Sequence, residues 1–339
     1  SSGGSTGSPM EPDALDQAAR VLRDADEVTL VCHVNPDADA MGSMLGLACF
    51  LARRGTRVVA SAPNRPADLP RWVQALPGTE HLVAPGDLPK SPAVVVTLDA
   101  ADVARLDGLA HLVKSGGTVI CIDHHRTNPG FGTINVIDPE ASATAELVFR
   151  LIQEMGGDYD ADVATNLYAG LVTDTGRFQY ESASPEVLRM AAELRERPFD
   201  HARLAQALYA DGSVAYLRLL GTVLERVTFV PEASLVWTHL TRKELEDGGV
   251  PIQDTDDLID IIRTAREADV AAVIKEQRDG GWKVSLRSRG DTDVAGVAGS
   301  FGGGGHRLAA GYTSKGSLEE TVASLVDVLV QVNPAAARP

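Results

Sequence analysis

The sequence has few cysteines, few aromatic residues and no long apolar segment. Cys32, Cys49 and Cys121 are the three cysteines among 339 residues, and they lie in apolar runs without the spacing of a zinc site or a disulfide framework. We expect buried, reduced thiols in a cytoplasmic protein. Aromatic residues make up 5% of the chain, and no apolar run approaches the roughly 20 residues of a membrane span.

Basic residues are also scarce, with 31 Lys and Arg against 47 Asp and Glu and a formal net charge of −16. Binding to long DNA or RNA depends mainly on phosphate neutralisation, so this balance argues against a general nucleic-acid-binding surface. A nucleic-acid substrate should be short or held by local charges. Residues 1–9 lack the charge and the apolar core of a signal peptide, and we interpret them as an expression scar before Met10.

The length of the chain predicts two domains. Over residues 10–183, short β-rich runs alternate with helical patterns, which predicts an α/β domain with a mostly parallel sheet. Residues 184–227 have helical patterns and are predicted to form a connector. The strand candidates of the first domain are Val28–Cys32, Val58–Ala62, Val94–Leu98, Thr118–Ile122 and Asn135–Ile137.

A smaller α/β domain with a mixed sheet is predicted over residues 228–335. The turn between two of its strands is predicted at Asp279-Gly280-Gly281, because glycine suits the backbone of a hairpin turn. Helical patterns at Asp256–Arg266 and Leu318–Val332 flank the strands. The strand candidates are Ser234–His239, Val270–Glu276 and Trp282–Ser288.

Three predicted strands of the first domain run directly into acidic or imidazole residues. His33 follows the first strand, Asp99 follows another, and a third is followed by Asp123-His124-His125. Ligands of open parallel sheets bind beyond the carboxyl ends of the strands. We therefore expect the three clusters to converge on one crevice.

The first cluster combines an imidazole with two carboxylates, at His33, Asp37 and Asp39. Pro36 disfavours a helical conformation for the residue before it, so the segment should be a loop that can turn several side chains inward. Imidazole nitrogen with several carboxylate oxygens suits manganese, iron or zinc. The alternative is a hydrogen-bonded core histidine beside two aspartates that are solvated or cap the following helix.

A structural role could also explain two of the other candidates. Asp99 could be a turn residue at a strand end, and Asp174 follows a helical pattern and could be a helix cap. The triplet Asp123-His124-His125 is different, because three adjacent titratable groups cannot all be buried cheaply unless they are paired, hydrogen-bonded or bound to metal. The triplet therefore favours a functional site.

The second half contains a glycine run followed by a histidine, Gly302-Gly303-Gly304-Gly305-His306, which could be a plain loop or a backbone that cradles an anion. Taken in order, this segment and the set His33-x3-Asp37-x-Asp39, Asp99, Asp123-His124-His125 and Asp174-Thr175-Gly176 resemble the DHH phosphoesterase superfamily. Within it, the chain looks like the branch of nanoRNases and pAp-phosphatases. The resemblance extends from about Ala14 to Val330.

The resemblance implies two divalent ions, with Mn²⁺ expected and Co²⁺ or Mg²⁺ as alternatives. Asp99 would be shared by both ions. Asp123 would orient a neighbouring histidine, as residues behind metal ligands do, and His125 would face the substrate phosphate or the leaving oxygen. The implied ligands are His33, Asp37 and Asp99 for one ion, and Asp39, Asp99, His124 and Asp174 for the other.

The resemblance also implies that the second domain binds the nucleotide end of the substrate. Arginine suits phosphate because its guanidinium donates in a bidentate manner. Arg126 and Arg177 in the first domain could also contact phosphate, although surface salt bridges would explain them equally well. The candidates in the second domain are Arg287, Arg289, Gly303, Gly304, Gly305 and His306.

Two cations can neutralise a phosphate ester and activate a water, so no protein nucleophile is required. The reaction that the resemblance implies is release of 5′-mononucleotides from oligoribonucleotides of a few residues. Removal of the 3′-phosphate from adenosine 3′,5′-bisphosphate (pAp) and hydrolysis of cyclic or linear di-AMP are alternatives that the sequence does not rank. We expect neither a long duplex nor a membrane as a partner, while apolar connector helices could pair two chains.

The sequence disfavours three other functions. A processive single-strand exonuclease would share the metal motifs but should need a long basic groove with aromatic platforms, which the composition disfavours. An inorganic pyrophosphatase of related fold would lack a nucleotide-binding segment such as Gly302–His306. A nucleotide sensor without turnover would not need the six candidate metal ligands.

Overall fold

The computed structural model describes residues 13–115 and 117–332. The described residues through Asp211 form one compact unit, and those from Gly212 onward form a second. The expected expression scar at residues 1–9 lies outside the described residues, as does the end of the predicted second domain at residues 333–335. Within the described residues, none of the helices combines the length and the apolar composition that a membrane span requires.

The first unit contains a five-stranded parallel sheet in the order β2-β1-β3-β4-β5. The prediction of a parallel α/β domain is confirmed, and every strand begins and ends within one residue of its predicted bounds. Every residue of β3 is buried, as expected of a strand covered on both faces. The strands are β1 (Glu27–Cys32), β2 (Arg57–Ser61), β3 (Val94–Leu98), β4 (Thr118–Asp123) and β5 (Ile134–Ile137).

Helices cover one face of this sheet, and a shorter helical segment covers the opposite face. Leu30, Val96 and Ile120 of the central strands belong to a large apolar core with the helices. Their neighbours along each strand, such as Val95, pack instead against Leu106. The helices are α1 (Ala14–Asp24), α2 (Ala38–Arg53), α3 (Leu112–Ser115), α4 (Thr144–Glu154), α5 (Ala161–Asp174), α6 (Pro185–Arg195) and α7 (His201–Tyr209).

The strand order reverses its direction at β1. The chain passes from β1 to β2 on one side and then returns to place β3 on the other side. Helices that follow β1 and β3 therefore diverge, and a crevice opens beyond the carboxyl ends of these two strands. His33 and Asp99 directly follow the two strands that border this crevice.

The second unit contains a six-stranded sheet in the order β10-β11-β9-β8-β7-β6, and the prediction that its sheet is mixed is confirmed. Strands β7 and β8 are parallel, and the other neighbours are antiparallel. The strands are β6 (Thr228–Val230), β7 (Leu235–Leu240), β8 (Val270–Glu276), β9 (Trp282–Ser288), β10 (Gly304–His306) and β11 (Ala309–Ser314). The helices are α8 (Val214–Glu225), α9 (Arg242–Gly248), α10 (Leu258–Ile262), α11 (Val294–Gly299) and α12 (Leu318–Val332).

Three strands of this sheet were not predicted from the sequence, namely β6, β10 and β11. The end of the glycine run is not an open loop, because Gly304 to His306 pair with β11 through the backbone. Glycine has a low strand propensity, so the pattern carries no strand signal there. The predicted connector at residues 184–227 contains α6, α7 and α8, and its boundaries stay a prediction.

Helices α2 and α5 approach each other closely because Gly42 has no side chain. A Cβ at this position would lie 2.3 Å from the backbone oxygen of Asn166 and 3.2 Å from the backbone nitrogen of Gly170. Neither backbone atom can move without shifting α5. Because α5 ends at Asp174 and α2 begins beside Asp37, this contact also sets the spacing of two site segments.

We predict that Gly42→Ala lowers the free energy of unfolding by about 1–3 kcal/mol, the usual cost of overpacking a core. Urea denaturation followed by circular dichroism measures this change. Gly46→Ala on the same helix is the matched control, since its Cβ would meet the movable end of the Leu167 side chain at 3.0 Å. Equal stability of the two variants would contradict a tight backbone contact at Gly42.

Candidate metal centre

Asp99 lies between the histidines of two different clusters. Its Oδ2 is 3.4 Å from Nε2 of His33, and its Oδ1 is 3.6 Å from Nε2 of His124. The three strand-end clusters expected to converge therefore do so, and Asp99 is their common neighbour. The side chain is almost completely buried, with 2% of the residue exposed.

The backbone of Asp99 adopts the left-handed conformation, with φ of 57°. Its N–H donates to the carbonyl of Ile122 on the neighbouring strand at 3.0 Å, which holds the chain in this turn. A left-handed backbone is unfavourable for residues other than glycine, although aspartate and asparagine tolerate it best. Such conformations cluster at functional sites, where the surrounding structure enforces them.

Asp99 belongs to three groups of side chains whose candidate ligand atoms lie within 4.8 Å of one another. One joins it to Asp123 and His125, and the other two contain the ligands expected from the sequence. Asp174, at the end of α5, extends the group that contains His124 and Asp39, since its Oδ2 lies 3.3 Å from Nε2 of His124. The candidate ligands expected from the sequence are thus brought together in the first unit. Of these two ligand groups, one contains His33, Asp37 and Asp99, and the other contains Asp39, Asp99 and His124.

Asp37 caps a helix and also faces the site. Its Oδ1 accepts the backbone N–H groups of Asp39 and Ala40 at the start of α2, at 3.1 and 3.0 Å. Its Oδ2 lies 3.8 Å from Nε2 of His33. The capping role considered for this residue and the role in the cluster therefore coexist, one on each oxygen.

Asp39 contacts a different helix. Its carboxylate accepts the backbone N–H groups of Thr144 and Ala145, the first two residues of α4, at 2.6 and 2.9 Å. Helix N-termini attract anions through these unpaired N–H groups and the helix dipole. The start of α4 therefore holds the Asp39 carboxylate in the crevice.

The two buried histidines are oriented by backbone carbonyls. Nδ1 of His33 lies 2.9 Å from the carbonyl of Val34, and Nδ1 of His124 lies 3.2 Å from that of Ala141. For His124, donation from Nδ1 leaves Nε2, which faces the carboxylates, available to a metal ion, as in many metal-binding histidines. The guanidinium of Arg105, which the sequence did not single out, also lies 3.0 Å from Nδ1 of His33.

Asp123 is fully buried and holds its neighbours rather than facing outward. Its Oδ1 accepts a hydrogen bond from Nδ1 of His125 at 2.7 Å. Its Oδ2 accepts from Nδ2 of Asn128 at 2.6 Å, and the same Asn128 nitrogen lies 3.0 Å from the carbonyl of Ala100. Asn128 was also missed from the sequence, because nothing in its local pattern predicts a contact with the triplet.

The charges of the cluster shift the pKa values of its members in opposite directions. Burial lowers the pKa of His33, but Asp37 and Asp99 outweigh it and raise the value to about 10. Burial likewise lowers the pKa of His124, and Asp174, Asp99 and Asp39 raise it to about 10. Neighbouring carboxylates therefore favour positive charge at both imidazole positions.

The carboxylates respond to burial and to one another. Burial raises the pKa of Asp174 to about 6, with further upward contributions from Asp37 and Asp99, although His124 opposes them. Burial and the charges of Asp99 and Asp174 raise the pKa of Asp39 well above its usual range. Burial would also raise the pKa of Asp99, but hydrogen bonding to His33 and the charges of His125 and His124 lower it.

The residues fit a divalent cation. Asp39 and Asp99 are buried carboxylates, and within residues 13–115 and 117–332 only histidines lie within ion-pair distance of them. Buried charges normally require a counter-charge or a metal ion. Histidine nitrogen together with carboxylate oxygen is a donor set that suits manganese, iron and zinc.

The comparisons with known proteins identify the family of the chain. Residues 27–172 match the DHH family, N-terminal domain, and residues 243–332 match the DHHA1 domain. The bifunctional oligoribonuclease and PAP phosphatase NrnA of Thermus thermophilus is 38% identical over 314 residues, which is 92% of each chain. The chain belongs to the DHH family.

Two further relatives extend the comparison. An exopolyphosphatase-related protein from Bacteroides fragilis has a crystal structure with a TM-score of 0.88 and 29% identity, covering 97% of this chain and 99% of that one. The cyclic-di-AMP phosphodiesterase GdpP of Geobacillus thermodenitrificans is 26% identical over 310 residues, or 84% of this chain and 44% of GdpP. The resemblance to the DHH superfamily drawn from the sequence motifs is confirmed.

In the DHHA1 region, Arg287 and His306 lie in one row across three strands. Arg287 on β9 is directly opposite Ala309 on β11, and Ala309 is directly opposite His306 on β10. Directly opposed residues of neighbouring strands project from the same face of a sheet. The two candidates therefore share a face with only the small side chain of Ala309 between them.

Among the other candidates of the DHHA1 region, Gly303, Gly305 and Arg289 have structural explanations, whereas Gly304 has none. A Cβ at Gly303 would lie 2.2 Å from the backbone oxygen of Gly311, and one at Gly305 would lie 2.5 Å from that of Ala309. A Cβ at Gly304 would meet no atom within 4 Å. Nη1 of Arg289 donates to the carbonyl of Ala265 at 3.1 Å.

The two candidate arginines of the first unit have partners as well. Arg126 forms an exposed ion pair with Glu140 at 2.8 Å. The guanidinium of Arg177 lies over the ring of Tyr209, 4.0 Å from its centroid. For Arg126, the surface salt bridge considered from the sequence is present.

We predict that Asp99→Asn removes most bound Mn²⁺ while the protein stays folded. Asparagine keeps the shape and tolerates positive φ, but it carries no charge and only one oxygen. Loss of a hydrogen-bond partner of a metal ligand lowers metal affinity by about 10- to 100-fold, and loss of the Asp99 carboxylate should lower it further. Metal analysis after dialysis against Mn²⁺, with circular dichroism for the fold, measures both quantities.

Asp107→Asn is the matched control for this substitution. Asp107 is an exposed aspartate that also has a positive φ, of 46°, and it belongs to neither ligand group. Its variant should bind Mn²⁺ normally. Normal metal content in Asp99→Asn would show that Asp99 is not a shared ligand.

Proposed function

We propose that this chain is a two-metal phosphoesterase that hydrolyses short nucleotides. The observation that carries the proposal is Asp99, whose two oxygens face two separate ligand groups at the carboxyl ends of β1 and β3. The names of the relatives support the substrate class, since NrnA acts on oligoribonucleotides and PAP, and GdpP acts on cyclic di-AMP.

The proposed substrates share one reaction. Water adds its oxygen to phosphorus, and the bond between phosphorus and a 3′ oxygen breaks. The leaving 3′ oxygen takes up a proton and becomes a hydroxyl group. An oligoribonucleotide then yields a 5′-mononucleotide, pAp yields AMP and phosphate, and cyclic di-AMP yields the linear dinucleotide.

The proposed ligands are His33, Asp37, Asp39, Asp99, His124 and Asp174. When bound, two divalent cations neutralise the phosphate charge and lower the pKa of water. His125 has its Nδ1 held by Asp123, so its orientation is fixed. We propose that His125 contacts the phosphate or donates a proton to the leaving oxygen.

Manganese is the proposed ion, with cobalt as a substitute. Two histidines in the ligand set favour these ions over magnesium, which prefers oxygen ligands and water. Magnesium restoring the same activity as manganese to metal-stripped protein would contradict this choice.

The three cysteines are buried free thiols, which supports the proposal of a cytoplasmic location.

The substrate class is tested by a panel of nucleotides with Mn²⁺. We predict that the best substrate, the one with the highest kcat/KM, is one of four short nucleotides: pAp, a dinucleotide, a five-mer or cyclic di-AMP. A long single strand should have a much lower kcat/KM. The acidic balance of the chain supports this order, since a long strand needs phosphate neutralisation along its length. A long strand as the best substrate would favour the processive exonuclease, and binding without turnover would favour a sensor.

The row formed by Arg287 and His306 supports a role for the DHHA1 region in binding the nucleotide end. We propose that these two side chains hold a substrate group remote from the reacting phosphorus. Binding energy from a remote group can position the reacting bond, so its loss lowers kcat as well as affinity. Arg289, Gly303, Gly304 and Gly305 stay weaker candidates for the same role.

We predict that Arg287→Ala lowers kcat/KM on a dinucleotide by about 10- to 150-fold, the cost of one charge-assisted contact. His306→Ala should lower it as well. On bis-p-nitrophenyl phosphate, which has no nucleotide end, both variants should retain nearly full activity. Steady-state kinetics on the two substrates measures the difference.

Arg278→Ala is the control for loss of one positive charge from the same unit. Arg278 is exposed in the turn between β8 and β9. Its variant should behave like the unsubstituted protein on both substrates. Equal losses on the dinucleotide and the artificial ester in Arg287→Ala would assign that residue to the fold or the metal centre instead.

A further inference from the structure

Thr144, the first residue of α4, is fully buried between two of the proposed metal ligands. Its hydroxyl donates to Oδ1 of Asp99 at 2.8 Å, and its backbone N–H donates to Oδ2 of Asp39 at 2.6 Å. Thr144 is 45 residues from Asp99 and 105 residues from Asp39 along the chain. The tertiary fold therefore creates both contacts.

The hydroxyl of Thr144 acts on the rotation of the Asp99 carboxylate. Oδ1, which accepts this hydrogen bond, faces His124, whereas Oδ2 faces His33. To serve both ligand groups, the carboxylate must keep its plane in one orientation. The terminal torsion of aspartate has a broad intrinsic distribution, so a directed donor on one oxygen can select that orientation.

We infer that Thr144 is a positioning residue that orients Asp99 toward both metal positions. The inference rests on the two-metal function proposed above. The Thr144 hydroxyl belongs to neither ligand group, and its effect passes through Asp99. The backbone contact with Asp39 does not depend on the side chain, so the hydroxyl can be tested separately.

A simpler explanation makes a different prediction. Buried hydroxyl groups need a hydrogen-bond acceptor, and Asp99 could serve Thr144 merely as that acceptor. Loss of the hydroxyl would then change the stability of the protein and leave its metal affinity unchanged. Metal affinity therefore separates a positioning role from a structural one.

The test is a calorimetric titration of metal-stripped protein with Mn²⁺ alone. Thr144→Val keeps the shape but removes the donor, and we expect an affinity about 10- to 100-fold weaker, the usual cost of losing a partner of a metal ligand. Thr144→Ser restores the donor and should bind nearly as the unsubstituted protein does. A crystal structure of the valine variant should show a rotated Asp99 carboxylate.

Thr165→Val is the matched control. Thr165 is a buried threonine of α5 whose hydroxyl donates to the carbonyl of Ala161 at 2.6 Å. Its variant also loses one hydroxyl group from a helix, and it should bind Mn²⁺ normally. A similar loss of affinity in both valine variants would assign the effect to the fold.

Other outcomes are equally decisive. If Thr144→Val does not fold, Thr144→Ser and Thr144→Ala replace it as a pair, because they differ only in the hydroxyl. Equal Mn²⁺ affinity in that pair, or unchanged affinity in a folded valine variant, overturns the inference alone. Absence of Mn²⁺ binding by the unsubstituted protein overturns the proposed function together with it.

Discussion

The structure of the site depends on the burial of one carboxylate, that of Asp99, between two histidines. Its backbone is held in a left-handed turn, and its oxygens face opposite ligand groups. Burying several carboxylates together costs free energy unless counter-charges accompany them. The histidines supply part of that charge, and divalent cations would supply the rest. The fold therefore bears the cost of burying a cluster whose donor set suits a divalent cation.

The fold delivers this cluster through strand order and helix termini. The reversal at β1 opens the crevice, and the segments that follow β1, β3 and β4 meet there. Asp37 binds the N-terminus of α2, whereas Asp39 binds the N-terminus of α4. Backbone N–H groups thus fix two carboxylates without using cationic side chains for those contacts.

The sequence predicts the parallel sheet and the ligand candidates because both leave local signals. Strands such as Val94–Leu98 are continuous apolar runs, and polar residues at their ends are conspicuous. The strands at Gly304–His306 and Ala309–Ser314 leave no such signal, because glycine pairs there through its backbone. The contacts of Thr144 with Asp99 and of Asn128 with Ala100 could not be predicted either, because they join residues that are distant along the chain. Long-range packing, rather than local propensity, orients the ligands.

The central claim is that two metal positions share Asp99. Anomalous diffraction from crystals grown with Mn²⁺, recorded at the manganese edge, tests it most directly. We expect two manganese peaks in the first unit, one against His33 and Asp37 and the other against Asp39 and His124, each contacting one oxygen of Asp99. A single peak, or two peaks of which only one contacts Asp99, would contradict it.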